Sequence, residues 1–402
     1  MASSSDWRSS LTASERYDNI QKLTESITAA GLSQNAFSLE TEAYKNCSSR
    51  AEYDAACSLT FDHPEPKIPH AEDEPPYLPA SVNDDPEHEA DSTDPGIRIG
   101  PYQNCQYVAS GVTAEVYRHK DKALKVIVET RDIEPHNPVR EAKILEILSQ
   151  DRNTSSIIPL LSTFRDHEQR FVLVFPYKPL TLSTLLSSTS PLPSSQIHLI
   201  FSAVFKALKS IHARSIIHRD IKPSAILLSS PNPTTTNEIS LSDFGTAWHP
   251  TLSISTEPPE SKILDIGTGP YRAPEVLFGK KSYSTPVDMW AAGVMLSECV
   301  SPTGNPIFES RPVHEDGNQL GLILSIFKTI GSPTRESWPE AVDFRTPPFE
   351  IYRAFDERAW DEVLPGVEAR WRDMVGKMVR YESSERATAR DMLLELEGMS
   401  DD

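Results

Sequence analysis

Over residues 17–27 the apolar side chains Tyr17, Ile20, Leu23 and Ile27 recur at helical spacing, behind Thr12 and Glu15 at capping-box spacing and ahead of Gly31 as a stop. The spacing predicts a short amphipathic helix, of a kind that is stable in water only when its apolar face is docked on something else. A weaker helical pattern follows over 39–56. From about Arg98 the texture changes to alternation, and 102–109, 115–118 and 123–128 read as strands with a turn through 119–122. Asn137 as N-cap and Pro138 at the first helical position then open a helix with the body VREAKILEIL. Segments 157–164 and 170–175 read as two more strands. The second half is mainly helical: 196–212 sets Ile197, Ile200, Phe201, Val204, Leu208 and Ile211 on one face, and 287–300 is apolar nearly all round, which predicts a helix buried at the centre of its lobe.

One stretch carries no such period. Between Asp62 and Asp94 acidic residues and prolines alternate, Lys67 is the one base, and apolar residues are few. Such a segment cannot bury enough surface to offset its ordering entropy, so it is expected to be a disordered linker. The expected organisation is an N-terminal extension over 1–60, an acidic proline-rich linker over 61–97, and a packed domain over 98–399 with lobes at 98–176 and 180–399. No internal repeat is visible. Across all 402 residues, 58 acids against 39 bases give a net charge of -19, which argues against a general polyanion binder, so no nucleic-acid partner is expected. No apolar run reaches membrane-spanning length and MASSSDWRSS lacks the layout of a signal peptide, so no membrane partner is expected and the setting is expected to be nuclear or cytoplasmic. Cys47, Cys57, Cys105 and Cys299 are scattered, with no CxxC pair and no histidine at ligand spacing, and read as reduced thiols.

The chemistry starts with a charge that needs a partner. Glu141 shares a helical face with Leu145 and Leu148, where a lone carboxylate would be costly. Lys125, among the apolar strand residues Ala123, Leu124, Val126 and Ile127, is the natural cation, although either group alone could snorkel to water. Downstream stand His218-Arg219-Asp220-Ile221-Lys222-Pro223, then Asp243-Phe244-Gly245, then Ala273-Pro274-Glu275. In this order the runs resemble the signature set of protein kinases, over about 98–399. The resemblance implies an α+β, bilobal protein-kinase fold: a small β-rich N-lobe with one main helix, and a larger, mainly helical C-lobe. It also implies ATP and Mg2+ as cofactors and a protein serine or threonine as acceptor.

By the same resemblance Lys125 holds the α- and β-phosphates with Glu141 keeping it in place, and Asp243 is the magnesium ligand. Asp220 accepts the hydroxyl proton, Lys222 steadies the γ-phosphate and Thr268 stands beside the catalytic aspartate; a lysine at 222 is similar to serine/threonine kinases. His218 is implied to be a packing element. The glycine-rich loop reads Ala109-Ser110-Gly111-Val112-Thr113-Ala114-Glu115-Val116, with alanine at its first and third glycines and only Gly111 kept. Alanine disfavours positive φ, so a stiffer or displaced loop is expected. Val108 and Val116 are implied to cover the adenine, with Ala123 in the same pocket, the backbone of Pro176 and Lys178 on the adenine edge, and Leu227 as the floor.

PVREAKILEIL, YRAPEVL and QLGLILSIFKTIGSPTRESWPE resemble the cyclin-dependent branch of the CMGC kinases. Arg386 matches the arginine that braces the glutamate of the Ala-Pro-Glu run, here Glu275. Three departures stand out. The inhibitory Thr-Tyr pair is Val112-Thr113; the activating threonine is Ile263, leaving Glu260 or Asp265 to supply charge to Arg219; and the catalytic-loop asparagine is Ala225, beside Ser224. The second is similar to fungal monomeric kinases that activate cyclin-dependent kinases, which makes such a kinase a candidate substrate and a cyclin an optional partner. The third favours an alternative, a pseudokinase that binds ATP or a partner without efficient catalysis. A further alternative is a docking protein that works through its acidic tail and first helix.

Overall fold

The computed structural model describes residues 96–398, apart from 112, 130–132, 151–155, 189–190, 311–317 and 351–353, together with single positions between Glu15 and Cys47 and the stretch 49–57. The chain divides into two units, Met1–Gly96 and Ile97–Asp402. In the first, Leu23, Cys47, Tyr53 and Cys57 are buried together, and Arg50 pairs with both Glu15 and Asp54. Leu23 thus lies on a buried face, as the helical spacing requires; Thr12, Tyr17, Ile20, Ile27 and Gly31 lie outside the described residues. The expected single helix over 39–56 is broken. Ser49 is extended (φ -143°, ψ 160°) and its hydroxyl accepts the Glu52 amide, which starts a fresh helix α1 (Arg50–Ala56). The linker, up to residue 95, lies outside the described residues.

The second unit opens with an antiparallel sheet of β1 (Ile97–Ile99), β2 (Tyr102–Ser110), β3 (Ala114–His119), β4 (Lys122–Ile127), β5 (Ser162–Arg165) and β6 (Phe171–Pro176), in the order β1-β2-β3-β4-β6-β5. Side chains alternate along a strand, so Leu124 and Val126 of β4 enter the sheet core with Ile99, Cys105 and Val172, and Lys125 is sent to the other face. Between β4 and β5 runs α2 (Pro138–Ser149). The Asn137 side chain accepts the Arg140 amide at 2.9 Å and Pro138 fills the first helical position, as the sequence pattern requires. The strand expected over 157–164 is shorter, because only Ser162–Arg165 pairs with β6. Ile157 instead bridges Leu241 in the other lobe, and Pro159 has no N–H to extend a ladder.

The larger lobe holds a small sheet, β7 (Leu180–Thr181), β8 (Ile226–Leu228) and β9 (Ile239–Leu241), and the helices α3 (Leu182–Ser188), α4 (Ser194–His212), α5 (Pro274–Leu277), α6 (Pro286–Val300), α7 (Asn318–Ile330), α8 (Trp360–Val363), α9 (Ala369–Met378) and α10 (Ala389–Gly398). Its core gathers the apolar face of α4 around α6, which is buried on nearly all sides. A Cβ on Gly293 would lie 2.8 Å from Met378 Cβ and Val379 Cγ2, so glycine is what lets the end of α9 come this close to α6. All four cysteines are buried free thiols. Among the described residues no helix is long and apolar enough to cross a membrane and no cluster of three metal-ligating side chains occurs.

α6 also carries Asp288, 1% exposed, which accepts the amides of His218 (2.9 Å) and Arg219 (2.8 Å) and contacts His212 Nε2 at 2.9 Å. Burial works against its charge, but the bonds from His212 and the His218 amide hold its carboxyl below the usual carboxylate range. The core helix thereby fixes the loop that bears Asp220, in which Arg219 takes a left-handed φ of 72°. Asp288→Ala leaves two buried amides without acceptors and is expected to destabilise the domain by about 2–4 kcal/mol, read from urea unfolding.

Candidate active site

Three elements bring Lys125, Glu141 and Asp243 together: β4, the first turn of α2, and the loop after β9. Lys125 Nζ lies 3.0 and 2.9 Å from the two oxygens of Glu141 and 3.0 Å from Asp243 Oδ1. The buried Glu141 has therefore found the cation its position demands. Burial opposes the charge on Lys125, but Asp243 and Glu141 outweigh it and raise its pKa above the ordinary lysine value. Lys125 in turn holds Asp243 well below the usual carboxylate range, while burial pushes the Glu141 carboxyl up. Asp243 adopts φ 63°, and Phe244 behind it is fully buried, edge-on to His218 at 4.8 Å between centroids. About half of the Asp243 side chain, 51%, stays open to solvent. The Asn137 amide donates to the Gly245 carbonyl at 2.9 Å, joining the start of α2 to this loop.

A second cluster forms from the loop between α4 and β8 and the segment before α5. Thr268 Oγ1 donates to Asp220 Oδ1 at 2.7 Å, and Lys222 Nζ donates to Asp220 Oδ2 at 2.6 Å and to Thr268 Oγ1 at 3.0 Å. The ring is closed and charge-balanced, with one face of the Asp220 carboxylate fixed by two donors. Both ring nitrogens of His218 are engaged by backbone: Nδ1 accepts the Asp220 amide at 3.3 Å and Nε2 donates to the Ser242 carbonyl at 2.9 Å. That leaves no free nitrogen for proton transfer and gives the imidazole a packing role.

The remaining predicted positions fall on β2, β3 and β4, at the end of β6 and just beyond it, and on or beside β8. Ala109 pairs with Val116 across β2 and β3, and Val116 lies opposite Lys125. Neither Ala109 nor Ala114 has a positive φ, and the Gly111 amide donates to the Ala114 carbonyl at 2.8 Å. The expected penalty for the lost glycines does not arise, because both alanines sit in strand backbone. Val108 is exposed on β2, and Ala123 faces Phe175 across the β4–β6 ladder. Pro176 ends β6; Lys178 follows, its Nζ donating to Ser229 Oγ at 2.9 Å and the Glu238 carbonyl at 2.8 Å. Leu227 faces Thr181 on β7. Ala225 is buried, its carbonyl accepting both the amide and the hydroxyl of Ser242, whereas Ser224 is exposed. The donor set suits one magnesium ion better than two: Asp243 offers hard carboxylate oxygens at the cleft, and the Ala225 methyl offers none.

Residues 102–395 match the model of the protein kinase domain. The chain belongs to the protein kinase family. The kinase is 29% identical over 279 residues to the serine/threonine-protein kinase CAK1 of Saccharomyces cerevisiae, covering 59% of this chain and 75% of that protein. It is 31% identical over 294 residues to the serine/threonine-protein kinase csk1 of Schizosaccharomyces pombe, covering 69% of this chain and 88% of that one. Among solved structures it resembles a chain of the CAK complex of Chaetomium thermophilum bound to ATP-gamma-S, with a TM-score of 0.59, 27% identity, and coverage of 72% of this chain and 88% of the other. These relatives bear out a protein serine/threonine kinase of the cyclin-dependent type with the bilobal kinase fold, a family that works with ATP and Mg2+.

Two further ion pairs frame the kinase's catalytic loop. Arg386 reaches Glu275 with both guanidinium nitrogens at 2.7 Å, in the brace the sequence suggests, and both side chains are buried. The charge on Arg219 is met differently from expectation. Glu260 is exposed and Asp265 pairs with Arg272 at 2.9 Å, so neither reaches Arg219. Its partner is Glu257, at 2.8 Å, which also stands 3.7 Å from Arg140 of α2. Neither Glu257 nor Arg140 was marked out by sequence reasoning. Arg140 sits next to Glu141 in VREAK, which is a usable signal; Glu257 lies in a loop with no period, and only the tertiary fold brings it to Arg219.

Proposed function

We propose that this kinase binds ATP between its lobes and transfers the γ-phosphate to a serine or threonine hydroxyl of a cyclin-dependent kinase, in the activation loop of that substrate. The observation that carries the reading is that the Lys125–Glu141–Asp243 cluster and the Asp220–Lys222–Thr268 ring are both assembled in one molecule. Lys125, fixed by Glu141, orients the α- and β-phosphates, and Asp243 is the residue that would hold magnesium. A bound magnesium ion supplies neutralisation of phosphate charge. Asp220 takes the proton from the attacking hydroxyl, and Lys222 and Thr268 keep its carboxylate aimed at that hydroxyl. Val108, Val116, Ala123 and Leu227 enclose the base, and the backbone of Pro176 and Lys178 meets its edge. The likeness to CAK1, csk1 and the CAK-complex chain supports a cyclin-dependent kinase as substrate. A cyclin is not required in this reading, since α2 is held through Asn137 and Gly245 of the same chain. A nuclear or cytoplasmic setting suits such a substrate.

The test is transfer of labelled γ-phosphate from Mg-ATP to a cyclin-dependent kinase with an intact activation loop. Transfer to that substrate is expected; transfer only to a generic basic protein would keep the kinase and discard the substrate. Ala225 favours a second reading, a partner-binding protein with little catalysis. Ala225→Asn discriminates between the two. In the first reading it raises an already measurable rate severalfold and lowers the magnesium concentration needed for half-maximal activity; in the second it creates a rate where none existed.

A further inference from the structure

We infer that the carboxylate of Glu257 is a built-in positioning charge that holds the activation segment, the catalytic loop and α2 in register, so that this kinase works without phosphorylation of that segment. The inference rests on the kinase reading above and adds the device that keeps it switched on. Glu257 is 0% exposed, and its Oε2 does two things at once: it pairs with Arg219 at 2.8 Å and accepts the Ile263 amide at 3.0 Å. Its other oxygen faces Arg140 Nη1 at 3.7 Å, while Arg140 Nη2 pairs with Glu134 at 3.1 Å. Each of the three anchored residues is placed to control chemistry. Arg140 precedes Glu141, Arg219 precedes Asp220, and Ile263 lies five positions before Thr268.

Ile263 is secured from its other side as well. The Tyr283 hydroxyl donates to its carbonyl at 2.6 Å. The neighbouring Lys262 is buried, donates to the Tyr283 carbonyl at 2.8 Å, and lies over the Trp248 ring at 4.7 Å. Trp248 Nε1 in turn donates to the Glu257 carbonyl at 2.9 Å. The loop is thus closed through bonds to neutral groups around one buried carboxylate, and Ile263 offers no hydroxyl to modify. The cluster is not saturated: among the described residues Glu257 Oε1, Arg219 Nε and Nη2 and Arg140 Nε make no hydrogen bond. Two oxygens neutralise this arginine pair without saturating it, where a phosphate group would present three. The charge is in place from folding onward, and at position 263 phosphatase has nothing to remove.

Glu257→Gln keeps the size and removes the charge. With the full chain and its phosphorylatable substrate, the variant is expected to lose about tenfold or more in kcat with little change in KM for ATP, and hydrogen exchange at the Ile263 amide is expected to rise. Adding Ile263→Glu to that variant returns a carboxylate to the segment, at the residue whose amide Glu257 accepts in the wild type, and is expected to recover part of kcat, which a role in packing alone would not allow. Phosphatase treatment of the wild-type protein is expected to leave its rate unchanged. Loss of wild-type activity on phosphatase treatment, or a Glu257→Gln variant with wild-type rate and exchange, would overturn the inference. If the wild type transfers phosphate to no acceptor, the kinase reading fails on its own, and exchange at Ile263 still decides the holding role: faster in the variant supports it, unchanged sinks it. Should Glu257→Gln not fold, Arg140→Gln removes the link to α2 together with the pair to Glu134; exchange in Pro138–Ser149 faster than in a Glu134→Gln control supports the inference, and exchange no faster than in that control counts against it.

Discussion

Asp220→Asn is expected to lower the single-turnover rate of phosphoryl transfer by about 10²–10⁴-fold, the range for removing a positioned general base. The local geometry argues for the upper part of that range. Asparagine can still accept the Thr268 hydroxyl through its carbonyl, but its amide nitrogen would then face Lys222 Nζ, which now sits 2.6 Å from Asp220 Oδ2. Two donors cannot share that contact, so Lys222 moves off its mark along with the loss of the base. Lys125 and Asp243 lie in a separate cluster and are untouched, so ATP affinity is expected to survive. Rapid-quench measurement of the transfer rate, beside equilibrium titration with a fluorescent ATP analogue, separates the two effects. Loss of nucleotide binding in the variant would show that Asp220 acts through the fold and not through the proton.

Arg386→Ala is expected to cost about 3–5 kcal/mol of stability, the largest effect of any single truncation proposed for this chain, because it leaves Glu275 charged and alone in the core. Arg386 and Glu275 are 0% and 1% exposed, and the guanidinium also donates to the carbonyls of Arg380, Tyr381 and Pro286. Arg386→Lys is expected to rescue only part, since an ammonium cannot make the paired contact to both carboxylate oxygens. Glu275→Gln combined with Arg386→Met, which removes both charges, is expected to be milder than the Arg386 truncation alone. Urea unfolding of the wild type, Glu275→Gln, Arg386→Met and the double variant gives the coupling directly; additivity of the two single changes would deny the pair its role.

The active-site ion pair was legible in sequence because each half carries its own local sign. A carboxylate on the apolar face of VREAKILEIL and a lysine inside an apolar strand both ask for a partner, and the fold supplies each to the other. The cap Asn137-Pro138 and the all-apolar run of α6 were legible for the same reason: backbone bonding and burial write short-range rules into the chain. The misreadings share a different cause. Ile157 looks like strand and is apolar, but its ladder partner is Leu241, 84 positions away and in the other lobe. The alanines of the phosphate loop looked strained only if their backbone needed positive φ, which the sequence does not report and the strands do not require. In sequence Glu260 and Asp265, the acids flanking Ile263, read as the source of charge for Arg219, whereas a loop folded back on Trp248 puts the more distant Glu257 there.

The bond from the Asn137 amide to the Gly245 carbonyl has a pharmacological consequence. Asn137 is at once the cap of α2 and the anchor of the loop that carries Phe244, so the two are mechanically one part. An inhibitor that needs Phe244 turned out of its buried seat must carry Gly245 with it, and so break the bond that ties this loop to the start of the helix holding Glu141 against Lys125. Ligands of that shape meet a double barrier here and are expected to associate slowly, while ligands that leave Phe244 in place meet none.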